Sequence, residues 1–167
     1  LNNWQLNWRI KINMADLAYI LLVSCLVLSF VGGGGFIALL AGKTRFFIKH
    51  MGVYKLMVFL SFIATASLCA ILTYSYISSD FSVRNVFENS FSAKTLIYKI
   101  TVVWGNHEGS MLLFLLIICC YILIFSLLKT TNKKHRRLKY ASISFMMLIF
   151  FLITLYIAIV SNPFLKI

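Results

Sequence analysis

Acid is scarce in this chain: four Asp and Glu stand against sixteen Lys and Arg in 167 residues. Charge of either sign makes up only 12% of the sequence, about half the share of an ordinary soluble domain. The basic residues fall in short runs between apolar stretches rather than on a soluble face, which excludes nucleic acid as the partner that a net charge of +12 would otherwise suggest. Cysteine occurs four times, at Cys25, Cys69, Cys119 and Cys120, always inside apolar stretches and never in CxxC spacing. That spacing excludes a disulfide framework or a thiolate metal site and leaves small apolar packing. Proline occurs once and alanine is sparse, while Phe, Ile, Leu, Lys and Asn are abundant. The bias fits a gene from an AT-rich genome such as a mitochondrial one.

What remains is apolar. Hydrophobic residues make up 61% of the chain and the mean hydropathy is +0.91. So much apolar surface needs lipid as its solvent. Four spans follow, about 17–41, 53–77, 110–128 and 140–160, each near the roughly 20 residues that a hydrocarbon layer of about 30 Å requires. No Asp, Glu, Arg or Lys lies in the middle of any span, where each would cost roughly 2.5–3.5 kcal/mol. This also disfavours a carrier, whose transport site usually shows a midplane charge. The expected fold is therefore an all-α integral membrane protein of four transmembrane helices, with one outer-face loop over 78–109 containing a short interfacial helix.

Residues 1–13 form a polar extension with Trp4 and Trp8, suited to a membrane interface; Met14 is the more natural start, and 14–167 is the membrane region proper. Gly32 to Gly35 interrupt the first span. They lack the spacing and the Lys-Ser/Thr ending of a phosphate loop, so they read as close packing against a neighbouring helix, with a hinge as the sharper alternative. Lys43, Arg45, Lys49 and Lys55 follow the first span, and Lys129, Lys133, Lys134, Arg136, Arg137 and Lys139 follow the third. Four spans put both groups on one side, with ten of the sixteen cations and no acid. Asp16, Asp80, Glu88 and Glu108 fall on the other. The positive-inside rule turns the basic loops toward matrix or cytoplasm, and both termini and the long loop toward the intermembrane space or periplasm. The Lys-Lys-His-Arg-Arg run also suits anionic lipid headgroups.

The long loop alone mixes charged, polar and aromatic residues. Asp80 reads as a helix N-cap, and Ile97, Ile100 and Trp104 recur at helical spacing, as in a short helix lying at the interface. No nucleophile elbow, HExxH pair or paired-carboxylate spacing is present. The densest polar stretch is Trp104-Gly105-Asn106-His107-Glu108-Gly109-Ser110, directly before the third span. Gly105 and Gly109 read as turn residues, and His107 as a side chain in a hydrogen-bonded turn with Asp80 or Arg84 as its partner. One histidine does not make a metal site.

These stretches carry a family resemblance. Asp80-Phe81-Ser82-Val83 followed by Glu88-Asn89-Ser90, the WGxHEGS element from Trp104 to Ser110 with Tyr98 upstream, and Ser161-Asn162-Pro163-Phe164 resemble motifs of the N-terminal part of the CcmF family. This family supplies the membrane subunit of the cytochrome c haem lyase. The resemblance spans about Met14 to Ile167 and implies a role in covalent attachment of haem to the CxxCH cysteines of apocytochrome c on the outer face of the inner membrane. It implies as partners a haem chaperone, apocytochrome c and further CcmF-type sequence carrying the Trp-rich haem-binding segment. The family's histidine haem ligands lie downstream and do not transfer to His50, His107 or His135, so haem is expected through the complex rather than ligated by this chain. Whether such a chain is itself catalytic is left open. The composition points to a mitochondrially encoded split form in the inner membrane. The alternative is a CcmF-derived structural subunit of a respiratory-chain complex.

Overall fold

The computed structural model describes residues 3–41, 51–130 and 132–166, with side chains from residue 14 onward except those of 51, 133 and 134. Trp4, Trp8, Lys43, Arg45, Lys49, His50, Lys133 and Lys134 thus have side chains outside the described residues. The described residues form six helices: α1 (Asn3–Leu40), α2 (Met51–Ile77), α3 (Arg84–Asn89), α4 (Leu96–Gly105), α5 (His107–Leu127) and α6 (Lys133–Ile159). Four stretches within them are long and apolar enough to cross a membrane: Met14–Leu40, Gly52–Ile77, His107–Leu127 and His135–Ile159. The chain is a multi-pass membrane protein of the expected all-α class. Two boundaries differ from expectation. The backbone of α1 is already helical from Asn3, so the N-terminal extension continues the first helix ahead of the span Met14–Leu40. The long loop holds two helices, because Arg84–Asn89 forms a further turn and a half.

Apolar residues face both ways, as lipid permits. Leu22, Cys25, Leu68, Leu72, Leu112, Leu115, Cys119, Met147 and Phe150 form the interior, whereas Ile20, Phe30, Ile37, Leu127 and Ile159 stand exposed on the bundle surface. Small hydroxyls inside the spans bond their own helix: Ser29 donates to the Cys25 carbonyl, Thr65 to Ser61 and Thr154 to Phe150. Each polar group is thereby satisfied where no water can reach it.

The glycine run does not break α1. A Cβ on Gly33 would stand 2.8 Å from the Leu148 Cα, and one on Gly32 2.9 Å from the Met147 Cε. Bare backbone lets α1 and α6 touch, and the ring pairs Phe30–Phe151 and Phe36–Phe145 flank the contact at 5.4 and 5.2 Å. The packing reading holds for Gly32 and Gly33, whereas Gly34 faces open space.

The two ends of the bundle are chemically different. At one end Asp16 pairs with Lys166 at 2.5 Å and Arg84 with Glu88 at 2.7 Å, with Asp80 just after α2 and Glu108 in the first turn of α5. At the other end Tyr54, Lys55, Ser126, Lys139 and Tyr140 surround one crevice. Lys139 is a residue of α6 rather than of a loop. It is buried, and its ammonium donates to the carbonyls of Ser126, at 2.9 Å, and Leu128. A cation placed on the last carbonyls of α5 satisfies acceptors that the helix itself leaves open.

Candidate functional site

The acidic end is assembled from three chain turns. The first closes α2. Ser79 adopts φ 51°, while the Ser79 and Asp80 N–H groups donate to the carbonyls of Tyr76 and Ser75 at 3.2 and 2.9 Å. This is the paired hydrogen-bond closure that usually employs glycine at the left-handed position. The Lys99 ammonium holds the Ser79 hydroxyl at 2.6 Å, fastening α4 to that turn. Asp80 is not a helix cap as expected. Val83 occupies the cap position of α3 without a side-chain bond, and the buried Asp80 carboxylate accepts from the Ser82 hydroxyl and N–H at 2.6 and 3.2 Å. The donors lie two residues after the accepting carboxylate, the local Asx geometry in which Asp competes with helix.

The second turn joins α4 to α5. Asn106 caps α5, accepting the Gly109 N–H at 2.7 Å, and Glu108 sits in the first turn where the helix dipole favours a carboxylate. Gly109 has no room for a side chain, since a Cβ there would lie 1.7 Å from the Val103 carbonyl oxygen. Gly105 faces open space, so of the two expected turn glycines only Gly109 is dictated by close approach. The third turn ends α6. Ser161, Asn162, Pro163 and Phe164 are all buried, and the Asn162 carboxamide accepts the Phe164 N–H at 3.0 Å across the proline. The chain is thereby bent back to α3: the Arg84 N–H donates to the Leu165 carbonyl at 2.8 Å, and Val83 bridges Lys166.

A buried amide network locks the first two turns together. The Tyr76 hydroxyl, fully buried, donates to the Asn85 carboxamide oxygen and accepts from Asn106 Nδ2 at 2.8 Å. Asn106 Nδ2 also donates to the Val102 carbonyl at 2.9 Å. Asn85 Nδ2 in turn donates to the Glu108 carboxylate. Sequence reasoning missed Tyr76, Asn85 and Asn106. The available signal was Asn106 itself, an Asn three residues before the helical Gly109 at the start of an apolar run.

Around this lock opens a polar cleft of about 260 Å³ lined by Asn85, Glu88, Asn89, Asn106, His107, Glu108, Val160 and Ser161. The three motif stretches meet here. Glu88 and Asn89 come from the first, His107 and Glu108 from the second, and Ser161 from the third. His107 is exposed and its Nδ1 lies 3.2 Å from the Ser161 hydroxyl, while Asp80 bonds Ser82 and Arg84 bonds Glu88. That bond to Glu88 holds the Arg84 guanidinium above its ordinary pKa, so it stays charged. Other motif residues serve elsewhere. Trp104 and Phe81 lie on the outer surface, 51% and 37% exposed. The Ser90 hydroxyl is buried without a partner, and Ser110 donates to the His107 carbonyl at 2.9 Å, reinforcing the start of α5.

The fold and parts of the sequence have counterparts among known proteins. A solved structure of the cytochrome c haem lyase CcmF superposes on 90% of this chain with a TM-score of 0.73 and 26% identity. The chain is CcmF-like. The cytochrome c-type biogenesis protein CycK of Rhizobium meliloti is 59% identical over 63 residues, 38% of this chain and 9% of that protein. Its namesake in Bradyrhizobium diazoefficiens is 74% identical over 38 residues, 23% of this chain and 6% of that protein. The match spans about a quarter of the solved lyase, 24% of its length. No protein-family model matches the chain.

The CcmF-like cleft does not by itself fit a haem. It presents two carboxylates and several amides and hydroxyls, whereas haem offers an apolar macrocycle with carboxylates of its own, for which apolar walls and cationic partners are needed. Among the described residues no three His, Cys, Asp or Glu side chains stand close enough to share a metal ion. Nor do His107 and Ser161 form a base and nucleophile, since Glu108 turns to Asn85 instead of orienting the imidazole. What the cleft can do is hydrogen-bond an approaching polar chain and attract positive charge at the membrane surface.

Proposed function

We propose that this chain is a subunit of the cytochrome c maturation haem lyase, where it helps attach haem covalently to the CxxCH cysteines of apocytochrome c. The observation that carries the reading is the convergence of all three CcmF-like motif stretches on one cleft at the acidic end. Motifs far apart in sequence meet there around a satisfied amide lock, as a surface shaped to receive a partner requires. In this reading the chain contributes scaffold helices and part of the outer surface, with His107 and Glu108 bordering the place where apocytochrome is presented. Haem enters as substrate, held by other parts of the complex. The partners are a CcmF-type subunit carrying the Trp-rich segment, a haem chaperone and apocytochrome c. The charge pattern and the AT-rich composition support a mitochondrial inner membrane location, with the acidic end and both termini toward the intermembrane space.

The test has two readouts. Gentle purification of the chain followed by mass spectrometry is expected to recover the Trp-rich CcmF-type subunit and cytochrome c maturation factors. Depletion of the chain is expected to lower covalently bound haem in cytochrome c, measured by haem staining after denaturing electrophoresis. Stoichiometric oxidase or dehydrogenase subunits, with holocytochrome c unchanged, would replace the lyase reading by that of a respiratory-complex structural subunit.

A further inference from the structure

At the basic end, between the close of α1 and the start of α6, lies an apolar groove of about 370 Å³. Phe36, Leu39, Leu40, Leu138 and Ala141 wall it, and the exposed Arg137 is the cation among its described lining residues. The groove is a built feature. Deeper in the bundle Gly32 and Gly33 draw the two helices into contact, and the tilted Phe36–Phe145 pair closes the groove toward that contact. Arg137 has no acid of this chain to meet, because all four carboxylate side chains gather at the opposite end. Its neighbour Lys139 is already committed to the α5 carbonyls.

We propose that this groove seats an acyl chain of an anionic phospholipid whose phosphate pairs with Arg137. Charge complementarity selects the occupant. A guanidinium beside an apolar groove, at the level where the spans end, presents a planar fork to a phosphate and hydrocarbon walls to a chain. A zwitterionic lipid fills the same groove but brings its own cation to Arg137. Lys43, Arg45 and Lys49, in the connection between α1 and α2, add to the attraction for an anionic leaflet. The lipid site stands or falls independently of any role in haem attachment.

The full chain is reconstituted in nanodiscs of phosphatidylcholine and phosphatidylglycerol in equal parts, and lipid retained after transfer to detergent is counted by native mass spectrometry. Wild type is expected to retain phosphatidylglycerol over phosphatidylcholine. Arg137→Gln is expected to reduce that preference roughly fivefold, the effect of one near-surface cation, and Arg137→Lys to keep most of it. Ala141→Phe, which fills the groove, is expected to lower retention with the charge intact. Leu40→Ser, at a wall residue 74% exposed, moves in the same direction. Equal retention of the two lipids by wild type overturns the proposal. So does an Arg137→Gln effect with no effect of either groove variant, which leaves only diffuse surface charge. Displacement of the bound lipid by inorganic phosphate overturns it too, in favour of a free-anion site.

Discussion

Asn106 does more at the acidic end than any residue beside it. One carboxamide caps α5 through its oxygen and, through its nitrogen, satisfies the fully buried Tyr76 hydroxyl and the Val102 carbonyl. Removing a cap typically costs about 1 kcal/mol, and leaving a buried partner unsatisfied adds about 1–3 kcal/mol. Asn106→Ala should therefore lower the thermal unfolding midpoint of the detergent-purified chain clearly. Asn106→Asp, which keeps the cap oxygen but loses the donor and sets a second carboxylate near Glu108, should be destabilised too. An Asn106→Ala protein as stable as wild type would show that the amide network does not bear on stability. Gly109, in the first turn of α5, and Gly105, at the end of α4, give a paired test. A Cβ at Gly109 collides with the Val103 carbonyl, and the backbone shift it forces falls among overpacking costs of about 1–3 kcal/mol. Gly105→Ala meets nothing within 4 Å and should unfold close to wild type. If the two alanine variants melt together, the close approach of α5 to the end of α4 is not real.

Among the helices, the glycine run decides how α1 meets α6. Gly33→Ala places a methyl 2.8 Å from the Leu148 Cα, a backbone atom that cannot swing aside, whereas Gly34→Ala finds nothing within 4 Å. The first should weaken the pair, by about 1–3 kcal/mol for an overfilled contact. The second should be neutral or slightly favourable, since alanine exceeds glycine in helix propensity by about 1 kcal/mol. Unfolding in a denaturing detergent series separates them, and equal midpoints would mean that the glycines set no interhelical distance. The four spans were legible because lipid demands a long apolar run, and length alone locates such runs to within a few residues. The α4 helix was legible from the spacing of Ile97, Ile100 and Trp104. Its short neighbour α3 was not, since Arg84–Asn89 carries no capping side chain and its fold comes from docking Val83 and Arg84 against Leu165 and Lys166, at the far end of the sequence. The cleft was legible in its parts but not as a cleft. His107, Glu108, Glu88 and Asn89 stood out by type, while the bond between His107 and Ser161 spans 54 positions and leaves no local pattern. Asp80 misled for a related reason: an Asp before a helix reads as a cap, but a nearer serine hydroxyl outcompeted the helix N–H groups for its carboxylate.

Across the whole molecule, the separation of charge sets how the protein must sit in a bilayer. Every acidic side chain lies at the end that holds the cleft, and Lys139, Arg136 and Arg137 lie at the other. Moving so many cations across the hydrocarbon is disfavoured in proportion to their number, so the basic end stays on the side where the chain is inserted. The four native cysteines sit within the spans, Cys25 and Cys119 buried and Cys69 and Cys120 half-buried, which leaves a quiet background for labelling with a membrane-impermeant maleimide. Ser92 is exposed between α3 and α4, and Lys129 is exposed just after α5. In the proposed mitochondrial setting, with the outer membrane stripped away, Ser92→Cys should react at once, and Lys129→Cys only after the inner membrane is opened. The opposite order would keep the four-span fold but turn the cleft to the matrix, away from where haem attachment is proposed. Reaction of both from the same side would be more serious. The chain between them would then cross the membrane an even number of times, so α5 would not span it and the four-span fold would fail.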